Sequence, residues 1–491
     1  MKKVTVVYPE ELGVITPEIY GHFSEHIGGV FYGGLWVGKD SPIPNERGFR
    51  KDALDYLRKI KVPVMRWPGG CFAETYDWRD GIGENRPSRP QWWTYHDGRY
   101  ESNAVGTHEF FDLCELLGCK AYLAVNVTSI TPLQARDWLD YCLSPRGSTT
   151  LALEREKNGH PEPFNIDYIG VGNENWGGGG NMTADYYALE YRRFATVMQN
   201  VCLGAKKHPV FVVGGANGAS YDWTIDLATN LSRPSGTPVQ SMSFHYYCGT
   251  SGDAVDFNAD DWYTLIGNAC KMENLIDRHY AVTKAYGLQD KLGKLVVDEW
   301  GCWHKDGSGP SKGYNLFEQQ STMRDAVVSA LTLNCFNNNC DKVLMANAAQ
   351  VCNNLHCCLL CDGNENCIVT PTYHVFDMYK SHMGATAIRS LVSDNAELQQ
   401  KLSVSASKTE EEITVTVANL SCENEATFDL DILGAEVCSE ATAIVLTATD
   451  MTAHNDFDNP SAVTPKSLTL DVSKPVTVPA ASVLTLIVKV K

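Results

Sequence analysis

The stretch Lys294-Leu-Val-Val-Asp-Glu299-Trp300-Gly-Cys-Trp303 begins as a strand and ends in an acid. Leu295, Val296 and Val297 form a short apolar, partly β-branched run, the pattern of a strand covered on both faces. Asp298 and Glu299 close it, and two tryptophans follow. In a parallel barrel the C-terminal strand ends carry the reactive groups. Aromatic rings beside a carboxylate suit sugar chemistry, because they stack on the apolar faces of sugar rings. Ile166-Asp-Tyr-Ile-Gly-Val171-Gly172-Asn173-Glu174-Asn175-Trp176 repeats the design: apolar strand, acid, Trp. Two strand-end glutamates so far apart in sequence cooperate only if the fold closes them onto one mouth.

The rest of the chain alternates accordingly. Strands are predicted at residues 19–23, 62–66, 121–126, 166–172, 210–213, 242–247, 295–298 and 342–347. Helices are predicted at 52–60, 108–117, 132–143, 183–201, 223–231, 260–286, 317–336 and 371–383, the helix from 183 capped by Asn181 or Thr183. Eight such units make an α/β chain with a (β/α)8 TIM barrel. After about residue 386 the pattern shifts to alternating apolar and polar residues, at 402–405, 413–417, 426–430, 443–446, 468–472 and 483–490. That texture predicts a C-terminal antiparallel β-sandwich. The expected division is a barrel over 16–385 and a sandwich over 386–491, with the strand in residues 1–15 joining the sandwich.

The chain has 491 residues, 44% hydrophobic and 20% charged, which is the composition of a soluble globular protein. A net charge of −18 argues against a nucleic-acid partner, since little would neutralise phosphates. No stretch approaches the ~20 apolar residues of a membrane span, and the N-terminus lacks the apolar core of a signal peptide. A cytoplasmic location is expected, with most of the 17 cysteines reduced and acting as small apolar side chains.

Glu174 and Glu299 offer the paired carboxylates that glycosidic hydrolysis needs, one for the leaving oxygen and one for the oxocarbenium-like carbon. Glu25, Arg66, Asn126, Asn173, His245, Tyr247 and Gln350 also fall at or just past predicted strand C-termini. Each alone has an ordinary explanation: His22, His26 and His245 as structural imidazoles, Arg66 as a buried ion pair. Together they are hard to dismiss. Arg66 and Tyr247 are expected to favour the charged form of Glu299.

On these motifs the sequence resembles the α-L-arabinofuranosidases of glycoside hydrolase family 51. The matching segments are Tyr20-Gly-His-Phe-Ser-Glu25-His26, Met65-Arg66-Trp-Pro-Gly-Gly-Cys-Phe72, Gly172-Asn173-Glu174-Asn-Trp, Ser243-Phe-His245-Tyr-Tyr247, Asp298-Glu299-Trp-Gly-Cys-Trp303, Met345-Ala-Asn-Ala-Ala-Gln350 and Thr370-Pro-Thr-Tyr-His-Val-Phe376. The resemblance implies a retaining hydrolase that releases terminal arabinofuranosyl residues. It implies Glu174 as acid/base and Glu299 as nucleophile. Asn173 would meet the sugar 2-hydroxyl and Tyr247 would orient Glu299. Glu25, Asn126, His245 and Gln350 would line the sugar pocket, and Trp303 would flank the leaving group. It also implies a homo-oligomer. Cys71 stands where other members carry Asn, and is left outside the expected site. A β-xylosidase or endoglucanase of the same clan is the alternative activity, and a non-catalytic carbohydrate-binding protein a more distant one.

No metal or other cofactor is expected, because neither acid motif brings the ligand spacing of a catalytic metal site. Cysteines 352, 357, 358, 361 and 367 include one Cys-x-x-Cys, so a zinc site there is the competing reading to small core residues.

Overall fold

The computed structural model of the chain describes residues 2–232, 236–249, 252–288, 291–305 and 307–491; Met1, the first residue of the expected N-terminal strand, lies outside them. The chain enters through β1 (Lys2–Val14), which joins the C-terminal sheet described below. The barrel then follows: β2 (Gly21–Phe23), β3 (Val64–Trp67), β4 (Lys120–Val125), β5 (Tyr168–Val171), β6 (Val210–Asn217), β7 (Ser241–Tyr247), β8 (Leu295–Gly301) and β9 (Val343–Ala349). These eight close in the order β8-β9-β2-β3-β4-β5-β6-β7, each parallel to its neighbours. All eight predicted barrel strands are present.

The unbroken apolar runs follow from two-sided burial. Val64, Tyr122, Tyr168, Val212, Val296 and Met345 pack together as one inner cluster. Met65, Leu123, Ile169, Val213 and Val297 alternate with them and belong to the larger core. Neither face of these strands meets water, so neither carries the polar alternation of a half-exposed sheet.

The helices depart from expectation in three places. The long helix expected over 260–286 divides into Ala259–Ala269 and Met272–Thr283. The turn tightens where the Lys271 N–H bonds to Asn268 O, which lets both Trp262 and His279 reach the interior. The helix expected from 317 starts at Met323, because Thr322 and Asp325 form a capping box there. A helix at Thr150–Lys157 was not foreseen: only Ala152 and Arg155 of it are buried, so it carries little apolar periodicity. The helix Ala184–Gly204 has Thr183 as its N-cap.

The C-terminal region is a nine-stranded, mostly antiparallel sheet. Its strands are β1 and, after the hairpin β10 (Leu359–Cys361) and β11 (Cys367–Val369), β12 (Thr386–Val392), β13 (Leu402–Lys408), β14 (Glu412–Asn419), β15 (Ala426–Leu433), β16 (Val437–Leu446), β17 (Lys466–Asp471), β18 (Val476–Val478) and β19 (Ser482–Val490). They run β17-β16-β19-β14-β13-β12-β1-β15-β18 in one continuous order, over a core that includes Val6, Val404, Val415, Phe428 and Leu486. The first and the last strand of the chain, β1 and β19, both lie in it. β1 is antiparallel to β12 and parallel to β15. The sheet is tied to the barrel by polar side chains on the helix Met323–Asn338: Asn334 Nδ2 donates to Ser403 O, and Asn337 Nδ2 to Ser405 Oγ.

Candidate active site

Glu299 sits at the mouth of the barrel because β8 breaks its own alternation. Its register shifts between Val296 and Glu299 against β7, and between Val297 and Trp300 against β9. Such bulges re-aim side chains, and Asp298 and Glu299 both meet groups inside the mouth. Arg66 Nη1 donates to Glu299 Oε1 at 2.8 Å, and Tyr247 OH donates to Glu299 Oε2 at 2.9 Å. Arg66 Nη2 reaches across to Asn173 Oδ1 at 2.6 Å, so one guanidinium joins both acid motifs. The Pro-Gly-Gly turn is close-fitting here: a Cβ on Gly70 would stand 2.9 Å from Glu299 Oε1.

Asp298 supports this arrangement from beneath. Tyr122 OH donates to its Oδ2 at 2.8 Å, and His245 Nε2 lies 3.0 Å from its Oδ1. Burial opposes its charge, but Arg66 and His245 outweigh burial and hold the Asp298 carboxyl at about 2. Burial likewise opposes charge on His245, and Glu299 and Asp298 lift the imidazole to about 10. For Glu299 the balance is reversed. Burial pushes its carboxyl above the ordinary range, and His245 and Arg66 pull it back without cancelling the rise. The expected support from Arg66 is therefore present but smaller than the cost of burial.

Glu174 is presented differently. It follows β5 on a tight turn and has a φ of 43°, the left-handed region that costs a side-chain-bearing residue free energy. A buried carboxylate holds the turn: Glu74 Oε1 accepts from Asn173 N at 2.7 Å and Asn175 Nδ2 at 3.2 Å, and its Oε2 from Val127 N at 2.8 Å and Thr128 N at 2.9 Å. Burial lifts Glu74 to about 7 against these four donors. The Glu174 carboxyl receives His245 Nδ1 on Oε1 at 2.8 Å and lies 3.8 Å from Cys71 Sγ through Oε2. His245 Nδ1 is also 3.4 Å from Glu299 Oε2, and one oxygen of each glutamate lies within 4.8 Å of the other's.

A family profile described as the α-L-arabinofuranosidase 1 domain matches residues 56–247, and one described as the α-L-arabinofuranosidase C-terminal domain matches 298–482. An intracellular exo-α-L-arabinofuranosidase from Bacteroides ovatus is 37% identical over 99% of this chain and 95% of its own. The chain belongs to the α-L-arabinofuranosidases of glycoside hydrolase family 51. The crystal structure of a family 51 arabinofuranosidase from Xanthomonas axonopodis pv. citri superposes with a TM-score of 0.90 at 33% identity, covering 99% of this chain and all of that one. An arabinose complex of the Thermotoga maritima α-L-arabinofuranosidase superposes with a TM-score of 0.82 at 28% identity, over the whole of both chains.

Within this family member, nine of the ten residues expected at the site converge. Glu25 closes the pocket opposite Glu299. Its Oε1 accepts from Phe72 N at 2.9 Å and Trp93 Nε1 at 3.1 Å, and its Oε2 from Gln350 Nε2 at 3.1 Å. Burial, then the neighbouring Glu299, lift Glu25 to about 7. Trp303 lines the same pocket with its ring against Tyr247. Asn126 is the exception. Its Oδ1 accepts from Thr128 N and Ser129 N, and its Nδ2 donates to Tyr76 O and Ser129 Oγ. Its polar groups go to its own turn and to Tyr76 O, and it makes no hydrogen bond to the other nine. Cys71, set outside the site on sequence grounds, lines the pocket beside Glu174. Glu74, Trp93 and Asp298 also went unassigned. Asp298 could have been suspected from its place beside Glu299; Glu74 and Trp93 lie in loops where nothing in the residue pattern marks them.

The other two imidazoles singled out in the sequence, His22 and His26, are buried away from the glutamate pair. His26 lies between Phe31 and Phe72 and bonds Glu101 through Nδ1, and His22 is fully buried. The five cysteines after β9 are buried too. Cys361 and Cys367 face each other across the β10–β11 hairpin with sulfurs 2.9 Å apart, and Cys352 Sγ is 3.7 Å from Cys361 Sγ. Two thiolates on one zinc stand about 3.8 Å apart, from Zn–S bonds of about 2.3 Å. The Cys361–Cys367 pair is closer than zinc-bound thiolates stand, and Cys352, Cys358, Cys361 and Cys367 belong to the apolar core.

Proposed function

We propose that the chain releases terminal non-reducing α-L-arabinofuranosyl residues from arabinose-containing oligosaccharides, with Glu299 as nucleophile and Glu174 as general acid/base. The observation that carries this is the glutamate pair, with an oxygen of each within 4.8 Å of the other's. Retaining enzymes hold their carboxyls about 5–5.5 Å apart, whereas inverting ones leave about 6.5–9.5 Å for a water. The roles follow from the surroundings. Glu299 is held from both sides by Arg66 and Tyr247, as suits a group that must meet one carbon along one line. Glu174, on the more open lip, faces the side from which a leaving group departs and water enters.

In the first step Glu299 attacks the anomeric carbon, the glycosidic C–O bond breaks, and Glu174 passes its proton to the departing oxygen. In the second, Glu174 takes a proton from water, which attacks the same carbon and displaces Glu299. Two inversions retain the configuration. Asn173, Glu25 and Gln350 bind sugar hydroxyls, His245 bridges the two acids, and Trp303 flanks the leaving group. No cofactor takes part. The Bacteroides ovatus relative is described as intracellular, and no helix among the described residues is long and apolar enough to cross a membrane. We place this chain in the cytoplasm, as a homo-oligomer acting on arabinose side chains of hemicellulose fragments. In this reading residues 16–385 form the catalytic unit, and 386–491 with 1–15 brace it.

Incubating the enzyme with a 2-fluoro arabinofuranoside bearing an activated leaving group, then digesting it, tests the assignment. The pentosyl label is expected on the peptide containing Glu299. Label on Glu174 or Glu25 overturns it. Parallel assays on nitrophenyl arabinofuranoside and nitrophenyl xylopyranoside test the sugar, with the arabinofuranoside expected to be the better substrate.

A further inference from the structure

We propose that the mouth of this pocket is also an inhibitory binding site for a thiophilic divalent cation of the zinc class, held by Cys71, Glu174, His245 and Glu299. Three of the donors are already assembled, and Cys71 lies beside one of them. His245 Nδ1 is 2.8 Å from Glu174 Oε1 and 3.4 Å from Glu299 Oε2, and Cys71 Sγ is 3.8 Å from Glu174 Oε2. Donors bonded at about 2.0–2.3 Å to a tetrahedral zinc stand roughly 3.3–3.6 Å apart. The His245 separations fall on either side of that range, and the Cys71 thiol must turn from Glu174 toward the other donors to complete the site.

Two further features favour a cation here. His245 turns its other nitrogen to a carboxylate, Nε2 lying 3.0 Å from Asp298 Oδ1, and Asp298 is itself fixed by Tyr122. A carboxylate behind the imidazole is the usual outer support of a metal-binding histidine. The local charge is also favourable. Glu25, Glu174 and Glu299 line the mouth, Asp298 lies beneath it, and the opposing cation is Arg66, on the far oxygen of Glu299. A bound cation displaces any proton on His245 Nδ1 and the thiol proton of Cys71 to solvent. Thiolate and imidazole select zinc, cadmium or cobalt(II) over magnesium and calcium. Such an ion would hold the two carboxylates that the sugar must approach, so it inhibits and is not a cofactor.

Zinc chloride titrated into the nitrophenyl arabinofuranoside assay should inhibit competitively and be fully reversed by EDTA, with magnesium and calcium chloride inert at the same concentrations. Cys71→Ala and Cys71→Ser should each raise the ratio of the zinc inhibition constant to KM at least tenfold. Using the ratio keeps any change in the variant's own turnover out of the comparison. Cobalt(II) chloride should give the wild-type enzyme a near-ultraviolet thiolate-to-metal charge-transfer band that excess L-arabinose suppresses and both variants lack. A band that survives in the variants, or a zinc constant unchanged in both, overturns the proposal. The inhibition arm rests on Glu174 and Glu299 being the catalytic pair; the spectroscopic arm does not. A Cys71-dependent band without inhibition would keep the cation site and overturn the catalytic assignment.

Discussion

Glu299 and Glu174 meet at one pocket but are built to opposite designs. Glu299 is part of a barrel strand, almost wholly buried, and clamped by Arg66 on one oxygen and Tyr247 on the other. Glu174 stands on a left-handed turn beyond its strand, with 20% of its side chain exposed. Its position is set at second hand, through the Glu74 carboxylate that ties the turn down. The contrast fits the work proposed for each. A nucleophile needs one direction of approach, and fixing it in the sheet supplies that. A proton carrier must serve a departing oxygen and then an incoming water, and a partly open turn gives it access to both.

The sharpest way to break this comparison is to remove each acid in turn. Glu299→Ala should lower kcat by more than about 10⁴-fold on good and poor leaving groups alike, because no covalent step remains. Glu174→Ala should lose about 10²–10⁴-fold on a nitrophenyl or sugar leaving group, the usual worth of general acid catalysis. It should retain far more activity on a dinitrophenyl arabinofuranoside, which departs without a proton. Added azide should then speed turnover and give the α-azide, by attack on the glycosyl-enzyme. With Glu299→Ala any azide product should be the β-azide, formed by direct displacement. Product configuration by NMR decides the matter, and exchanged signatures would exchange the roles.

A smaller effect should separate direct from second-hand support. In Glu74→Gln one oxygen becomes an NH2 that faces N–H donors, so at least two bonds to the turns are lost. An unsatisfied buried group costs about 1–3 kcal/mol. A kcat loss of about tenfold is expected, with labelling of Glu299 intact. Stability should respond as well. Burial lifts the Glu74 carboxyl to about 7 in the folded chain, against about 4.3 when unfolded. The folded state then holds a proton that the unfolded state has released, so stability is highest below the unfolded value and falls as pH rises towards 7. Glu74→Gln should flatten part of that decline in a series of melting curves. Glu25, lifted to the same region, should keep the remainder. A decline of unchanged steepness would mean that Glu74 is ionised throughout.

The same contrast explains what the sequence could and could not tell. Most of what the strands carry was legible: eight apolar runs buried on both faces, and Arg66, His245, Tyr247 and Glu299 at their ends. Residues that act through loop geometry were not. Glu74 lies in a short 3-10 turn and Trp93 in an irregular loop, where no periodicity separates a structural group from a solvated one. Asn126 differs from the other strand-end residues for the complementary reason. It stands at a strand end like its neighbours, but the following turn absorbs its hydrogen bonds. Asp298 was hidden by the bulge in β8, since strict alternation would turn it away from Glu299. The N-terminal strand was readable as sheet, but its parallel pairing with β15 depends on partners more than 400 residues away.

The smallest expected change tests the clamp on Glu299 alone. Tyr247→Phe removes the hydroxyl that donates to Glu299 Oε2 at 2.9 Å, and leaves Arg66 on Oε1. A hydrogen bond to a charged group contributes about 1.5–3 kcal/mol, and one pKa unit corresponds to about 1.36 kcal/mol. Water entering the vacated space recovers part of this, so a rise of about one unit is expected. Burial already holds the Glu299 carboxyl above its ordinary range, and losing a donor to its ionised form moves it further in the same direction. The nucleophile must be ionised to attack. The acidic limb of kcat/KM against pH should therefore move to higher pH by about one unit, while the alkaline limb stays where it is. If both limbs move together, the two acids share one hydrogen-bond network through His245, and their separate support is not real. If neither moves, Tyr247 shapes the pocket without touching the charge on Glu299.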